Sequence, residues 1–129
     1  MQELVAEWVA KAEGDYATAE RELRVRRRQN YDAVCFHAQQ SAEKYLKAFL
    51  QEHDADFPKT HSLIELLEIA LSYDAGFELQ RDLLVRLDRY AVRYRYPGDT
   101  SDKVEARAAF QAIKTVRIFV RQRFGLPED

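Results

Sequence analysis

Residues 36–50 read "FHAQQSAEKYLKAFL". Within them Ala38, Ala42, Tyr45, Leu46 and Phe49 recur at three- and four-residue spacing, and Cys35 extends the series by one turn. That period places them on one stripe of an α-helix, the side that must be covered by other elements. His37, Gln40 and Lys44 fall on a second row, opposite the stripe. The stretch therefore predicts a core helix whose polar row is either a solvated face or the lining of a cleft.

The remainder of the chain supplies further helices to cover that stripe. Only 4 Gly and 3 Pro interrupt the 129 residues, and no alternating strand pattern bounded by turn residues occurs. A first helix is expected from about Glu3 to Arg27, with Val5, Trp8, Ala12, Ala19 and Leu23 near helical spacing. Gly14 lies inside it and implies a close helix approach or a local bend, since an exposed mid-helix glycine costs roughly 1 kcal/mol against alanine. Asn30 can cap the second helix, which runs to about His53 before "DADFPKT" breaks the chain. Ser62 and Glu65 have the spacing of a capping box at the start of a third helix, "LIELLEIAL".

Leu83, Leu87, Tyr90, Ala91 and Tyr94 line one side of a fourth helix that Pro97 and Gly98 stop. A fifth begins near Ser101 or Asp102 and continues to about Arg123, leaving "FGLPED", about 124–129, as a frayed tail. The expected fold is all-α, an up-and-down bundle of about five helices in a single domain spanning 1–129.

Composition narrows the function classes. With 20 Lys and Arg against 22 Asp and Glu, the formal charge of -2 gives no whole-molecule attraction to polyanions, so any anion site must be a local cluster. Cys35 is the single cysteine and, on an apolar helix face, is expected to be a reduced, buried thiol. No apolar run approaches the roughly 18 residues of a membrane span, and Met1 leads straight into charged, helical sequence; a cytoplasmic protein is expected. P-loop, dinucleotide-turn and G-x-S-x-G patterns are absent from the sequence, and His37, His53 and His61 do not have zinc-site spacing, so neither a metal nor a cofactor is expected.

Candidate binding residues follow from charges that lack an opposite charge three or four residues away. Glu43 precedes Lys47 by four, whereas Lys44 has no carboxylate in reach along its own helix. Arg89 and Arg93 are four apart and like-charged, and Arg95, Tyr96 and Pro97 follow in "RYAVRYRYPG". Guanidinium groups bind phosphate through paired N–H donors and an aromatic ring stacks on a base, so this segment is the candidate for recognising a nucleotide or RNA. Pairing of the same arginines with acids on other helices or a second subunit is the rival reading. Arg24, Arg26, Arg27 and Arg28 favourably oppose the dipole at the end of the first helix and would widen such a surface.

Four segments, "AEGDYATAERELR" (12–24), "NYDAVCFHAQQSAEKYLKAFL" (30–50), "THSLIELL" (60–67) and "RYRYP" (93–97), together resemble the HEPN superfamily of small all-α domains. The resemblance implies a homodimerising bundle that acts with a minimal nucleotidyltransferase in toxin–antitoxin or defence systems. It also implies nucleotide or RNA binding or, in many members, metal-independent RNA cleavage. Ribonuclease-active branches carry an Arg, four to six residues, then a His late in the domain. Here the required positions before His37, His53 and His61 hold Asn30 to Asp32, Leu46 to Ala48 and Asp54 to Asp56, and no histidine follows His61.

Metal-free cleavage needs groups that accept and return a proton near neutral pH, which histidine does and arginine does not. Binding is therefore the leading expectation: Arg89, Arg93 and Arg95 for phosphate, Lys44 for a further anionic contact, His37 for hydrogen bonding and Tyr96 for stacking. An atypical ribonuclease using His37, or a dimer or complex scaffold with no ligand, are the alternatives.

Overall fold

The computed structural model describes residues 1–92 and 97–129. Among them the chain forms α1 (Glu3–Arg24), α2 (Tyr31–Glu52), α3 (Leu63–Leu71), a 3-10 turn (Ala75–Gln80), α4 (Arg81–Asp88), a second 3-10 turn (Arg89–Ala91) and α5 (Lys103–Arg123), with no strand.

Three of the starts follow from local side chains. The Asn30 side-chain oxygen accepts from the Ala33 amide at 3.0 Å. Ser62 Oγ accepts from the Glu65 amide at 3.2 Å, and Asp102 Oδ1 from the Glu105 amide at 2.8 Å. Each satisfies a backbone N–H that has no partner within its own helix. Asp54, with φ 52°, turns the chain away after α2.

α2 is the central element. The whole expected stripe, Cys35, Ala38, Ala42, Tyr45, Leu46 and Phe49, is buried, but so are Gln39, Ser41, Glu43, Lys47 and Leu50 on its other sides. α1, α3, α4 and α5 all pack against it. Cross-helix pairs fix the directions. Glu22 meets Asn30, Asp15 meets His37, and Lys47 lies over the Trp8 ring, so α1 and α2 are antiparallel. Direction alternates along the chain except between α2 and α3. There the link 53–62 runs back along the bundle, so that His61 reaches Glu43 in mid-helix and Tyr73 reaches the His53 ring at the far end.

The structure departs from the close approach expected at Gly14 and from the frayed tail. No neighbouring element closes on Gly14: a Cβ built there meets nothing within 4 Å, the residue is exposed, and α1 runs through it without a break. Gly14→Ala should therefore stabilise the fold by about 0.5–1 kcal/mol, through the lower backbone entropy of the unfolded chain. A urea midpoint that fails to rise would show that the glycine serves something other than this helix. The tail, expected to fray, folds back on α5. Arg121 Nε donates to the Pro127 carbonyl at 2.5 Å, Arg117 Nη1 to the Glu128 carbonyl at 2.5 Å, and the Leu126 amide to the Arg121 carbonyl at 2.9 Å.

Candidate functional site

At the end of the bundle where α2 begins, a pocket of about 300 Å³ is lined by Asn30, Asp32, Phe36, His37, Tyr90 and Val92, among others. Two of its lining residues, Asp32 and Tyr90, are held by polar ties. Asp32 Oδ1 accepts from the Ser101 amide at 2.7 Å and from Ser101 Oγ at 2.8 Å, which binds the approach to α5 onto α2. The buried Tyr90 hydroxyl donates to Glu105 at 3.2 Å, and burial, with Cys35 and Glu105 nearby, raises its pKa to about 12. Around the rim, Phe36 and Val92 expose apolar surface, at 37% and 59%. The pocket thus joins a polar wall to an open aromatic edge, the combination that small polar-aromatic ligands use.

His37 is the sequence candidate that lines this pocket. Its Nδ1 lies 2.8 Å from Asp15 Oδ1, on α1, and Lys44 Nζ bonds the other oxygen of the same carboxylate. Asp15 is nearly buried, with its side chain 12% exposed. Lys44, expected to lack a carboxylate, therefore has one supplied by the neighbouring helix. The row of His37, Gln40 and Lys44 faces protein over much of its length rather than bulk water: Gln40 Nε2 donates to Gln39 Oε1 at 2.6 Å.

Arg89 is exposed, and no ion pair involves it among the described residues. It sits in the 3-10 turn whose other members, Tyr90 and Ala91, line the pocket. The α-helical part of the fourth segment ends earlier than its periodicity suggests, at Asp88, whose carboxylate accepts from the Leu63 amide at 2.7 Å. Arg93, Arg95 and Tyr96 lie outside the described residues. Arg26, Arg27 and Arg28 are exposed on the link between α1 and α2, just before Asn30, and form no ion pair among the described residues.

Sequence reasoning missed Asn30, Asp32 and Phe36 as parts of this pocket, and Asp15 as the partner that holds His37 beside it. Asp15 has Lys11 one turn before it on α1, so a search for locally unpaired charges treats it as explained; in the fold it turns instead to α2. Asn30 reads only as a cap, and Phe36 only as an apolar residue beside the stripe.

Two other charge clusters are internal ties. Glu13 accepts from Arg117 through two bonds of 2.7 and 2.8 Å and also from the Tyr45 hydroxyl. Burial raises the pKa of Glu13, but these donors outweigh it and the net shift is downward. The bond to Glu13 raises the pKa of Arg117. A cavity of about 410 Å³ adjoins this cluster, lined by Tyr16, Glu20, Lys114, Arg117 and Glu128 among others. Its arginine is already committed to Glu13 and to the tail, which makes it the weaker binding candidate. The second cluster gathers Gln39, Lys47 and His61 about the buried Glu43.

Among the described residues no group of three or more His, Cys, Asp or Glu side chains could hold a metal ion, and no helix is long and apolar enough to cross a membrane. No curated protein and no solved structure matches the chain. A family model described as the HEPN domain matches residues 5–123, from the first turn of α1 to the last residue of α5. With the match running through every helix described above, the chain belongs to the HEPN domain family.

Proposed function

We propose that the protein binds a nucleotide or RNA in the pocket between the start of α2 and the turn that follows α4. Membership of the HEPN family supports nucleotide- or RNA-related chemistry. The observation that carries the reading to this place is that Arg89, a guanidinium with no acid partner among the described residues, stands in the turn that lines the pocket holding His37 and the exposed Phe36. Arg89 supplies the phosphate contact, Phe36 a stacking surface and His37 a hydrogen bond. Arg93, Arg95 and Tyr96 follow Val92 directly in the chain and add phosphate and stacking groups in this reading. Lys44 acts through Asp15. The proposal extends to a cytoplasmic homodimer working with a minimal nucleotidyltransferase in a toxin–antitoxin or defence-type system.

The pure scaffold reading requires every cation to be paired within an interface. Within the chain Lys44 has its acid on α1 and Arg89 has none among the described residues, so the scaffold reading needs a second subunit to supply one. Titrating adenosine monophosphate and a short oligoribonucleotide into wild type and Arg89→Ala separates the two. Binding should weaken about ten-fold, the worth of one charge-assisted hydrogen bond. The unfolding midpoint should hold within about 0.5 kcal/mol, as for other exposed substitutions. Unchanged affinity alongside lost stability would assign Arg89 to the scaffold.

One observation favours the ribonuclease alternative: an imidazole anchored by a carboxylate, the arrangement that suits proton transfer. RNA cleavage by purified protein in EDTA, lost in His37→Ala, would support it; intact RNA at high protein concentration would remove it.

A further inference from the structure

We infer that Asp15 is a positioning residue for His37, and that the pair makes the pocket selective for a ribonucleotide over its 2′-deoxy counterpart; this rests on the nucleotide-binding reading above. A neutral imidazole has one N–H and one bare nitrogen, and which is which depends on the partner that each nitrogen meets. Asp15 presents one carboxylate oxygen 2.8 Å from Nδ1 while Lys44 bonds the other, so in a neutral ring the proton belongs on Nδ1. The carboxylate is itself fixed, because its second oxygen is held by Lys44 and it is almost enclosed between α1 and α2.

With Nδ1 committed to α1, Nε2 is the polar atom that the ring can offer to the pocket it lines, and it is an acceptor. A bare acceptor in a partly enclosed site favours ligands that bring a donor and disfavours those that bring none. Within a nucleotide whose base lies on Phe36 and whose phosphate is held by Arg89, the donor between them is a ribose hydroxyl. The 2′-hydroxyl is the group that distinguishes the ribo from the deoxyribo form. A volume of about 300 Å³ is at the small end for ligand sites, suited to one nucleotide unit rather than several.

The test uses the full chain and two probes, adenosine monophosphate and its 2′-deoxy analogue, by calorimetry, together with imidazole nitrogen NMR. In wild type the His37 proton should be found on Nδ1, and the ribonucleotide should bind about ten-fold more tightly than the deoxy form, the loss of one hydrogen bond to the ligand. Asp15→Asn should shift the proton towards Nε2 and bring the two affinities together. His37→Phe, which keeps the ring's packing, should also abolish the preference, and decides the matter should Asp15→Asn not fold. A proton on Nε2 in wild type, or equal affinity for the two probes, overturns this inference alone. Binding of neither probe overturns the nucleotide-binding reading itself.

Discussion

Glu43→Ala should destabilise the protein by about 3–5 kcal/mol, the usual cost of removing one partner from a buried ion pair. Glu43 is 4% exposed and accepts three bonds: from Lys47 Nζ at 3.1 Å, from His61 Nδ1 at 3.0 Å and from Gln39 Nε2 at 3.4 Å. Lys47, at 7%, has almost no access to water, and its other neighbour is the Trp8 ring, 5.6 Å from ammonium to centroid. Deleting the carboxylate therefore leaves an ammonium that can neither hydrate nor pair. For a domain whose total stability is of order 5–15 kcal/mol this is a large fraction, and the melting temperature should fall by roughly 10–20 °C. The double variant Glu43→Ala/Lys47→Met should regain most of that loss, because the penalty lies in the stranded charge rather than in the missing contact. A single-variant cost under about 1 kcal/mol, in the range of exposed pairs, would show that Lys47 reaches solvent after all.

The same residue shows how far the sequence was legible. Glu43 and Lys47 were readable as a pair because the partners are four residues apart on one helix, and a four-residue window is all that such a test samples. Burial of the pair was not readable, since it comes from Trp8 on α1 and His61 on the link before α3. Helix starts at Asn30, Ser62 and Asp102 were legible for the complementary reason: a cap and the amide it satisfies lie within three residues. The end of the fourth helix was not, because α4 stops where Asp88 bonds the Leu63 amide, a partner 25 residues away. Within the candidate site, His37 and Arg89 stood out as polar groups without local partners. Asp15, which gives His37 its direction, was masked by the nearby Lys11 and became visible only when antiparallel packing brought α1 against α2. Properties set within a turn of helix could be read; those set by which helix lies alongside could not.

Alkaline solution should unfold the protein between about pH 10 and pH 12, through two tyrosines. Tyr45 and Tyr90 are fully or almost fully buried, and burial first, with the neighbouring carboxylates Glu13 and Glu105 adding to it, raises each pKa to about 12. Below pH 10 both phenols are protonated in the folded and the unfolded chain, so their contribution to stability is fully present. Above pH 10 the unfolded chain ionises its phenols while the folded chain keeps them neutral, and stability falls until the folded pKa is passed. Over that interval the loss is roughly 2–3 kcal/mol per tyrosine, or about 5 kcal/mol together, comparable with the whole stability of a marginal domain. Tyr45 carries the greater structural consequence. Its hydroxyl donates to Glu13, the carboxylate that also holds Arg117, so a phenolate there would face a second negative charge at the junction of α1, α2 and α5. Urea unfolding at pH 8 and pH 11 measures the loss, and Tyr45→Phe and Tyr90→Phe isolate it from other alkaline titrations. Each variant should start about 1 kcal/mol less stable at pH 8, the net worth of one hydrogen bond, and should lose less between pH 8 and pH 11 than wild type does. If both variants instead keep the wild-type slope above pH 10, the phenols ionise in place and the alkaline transition belongs to other groups.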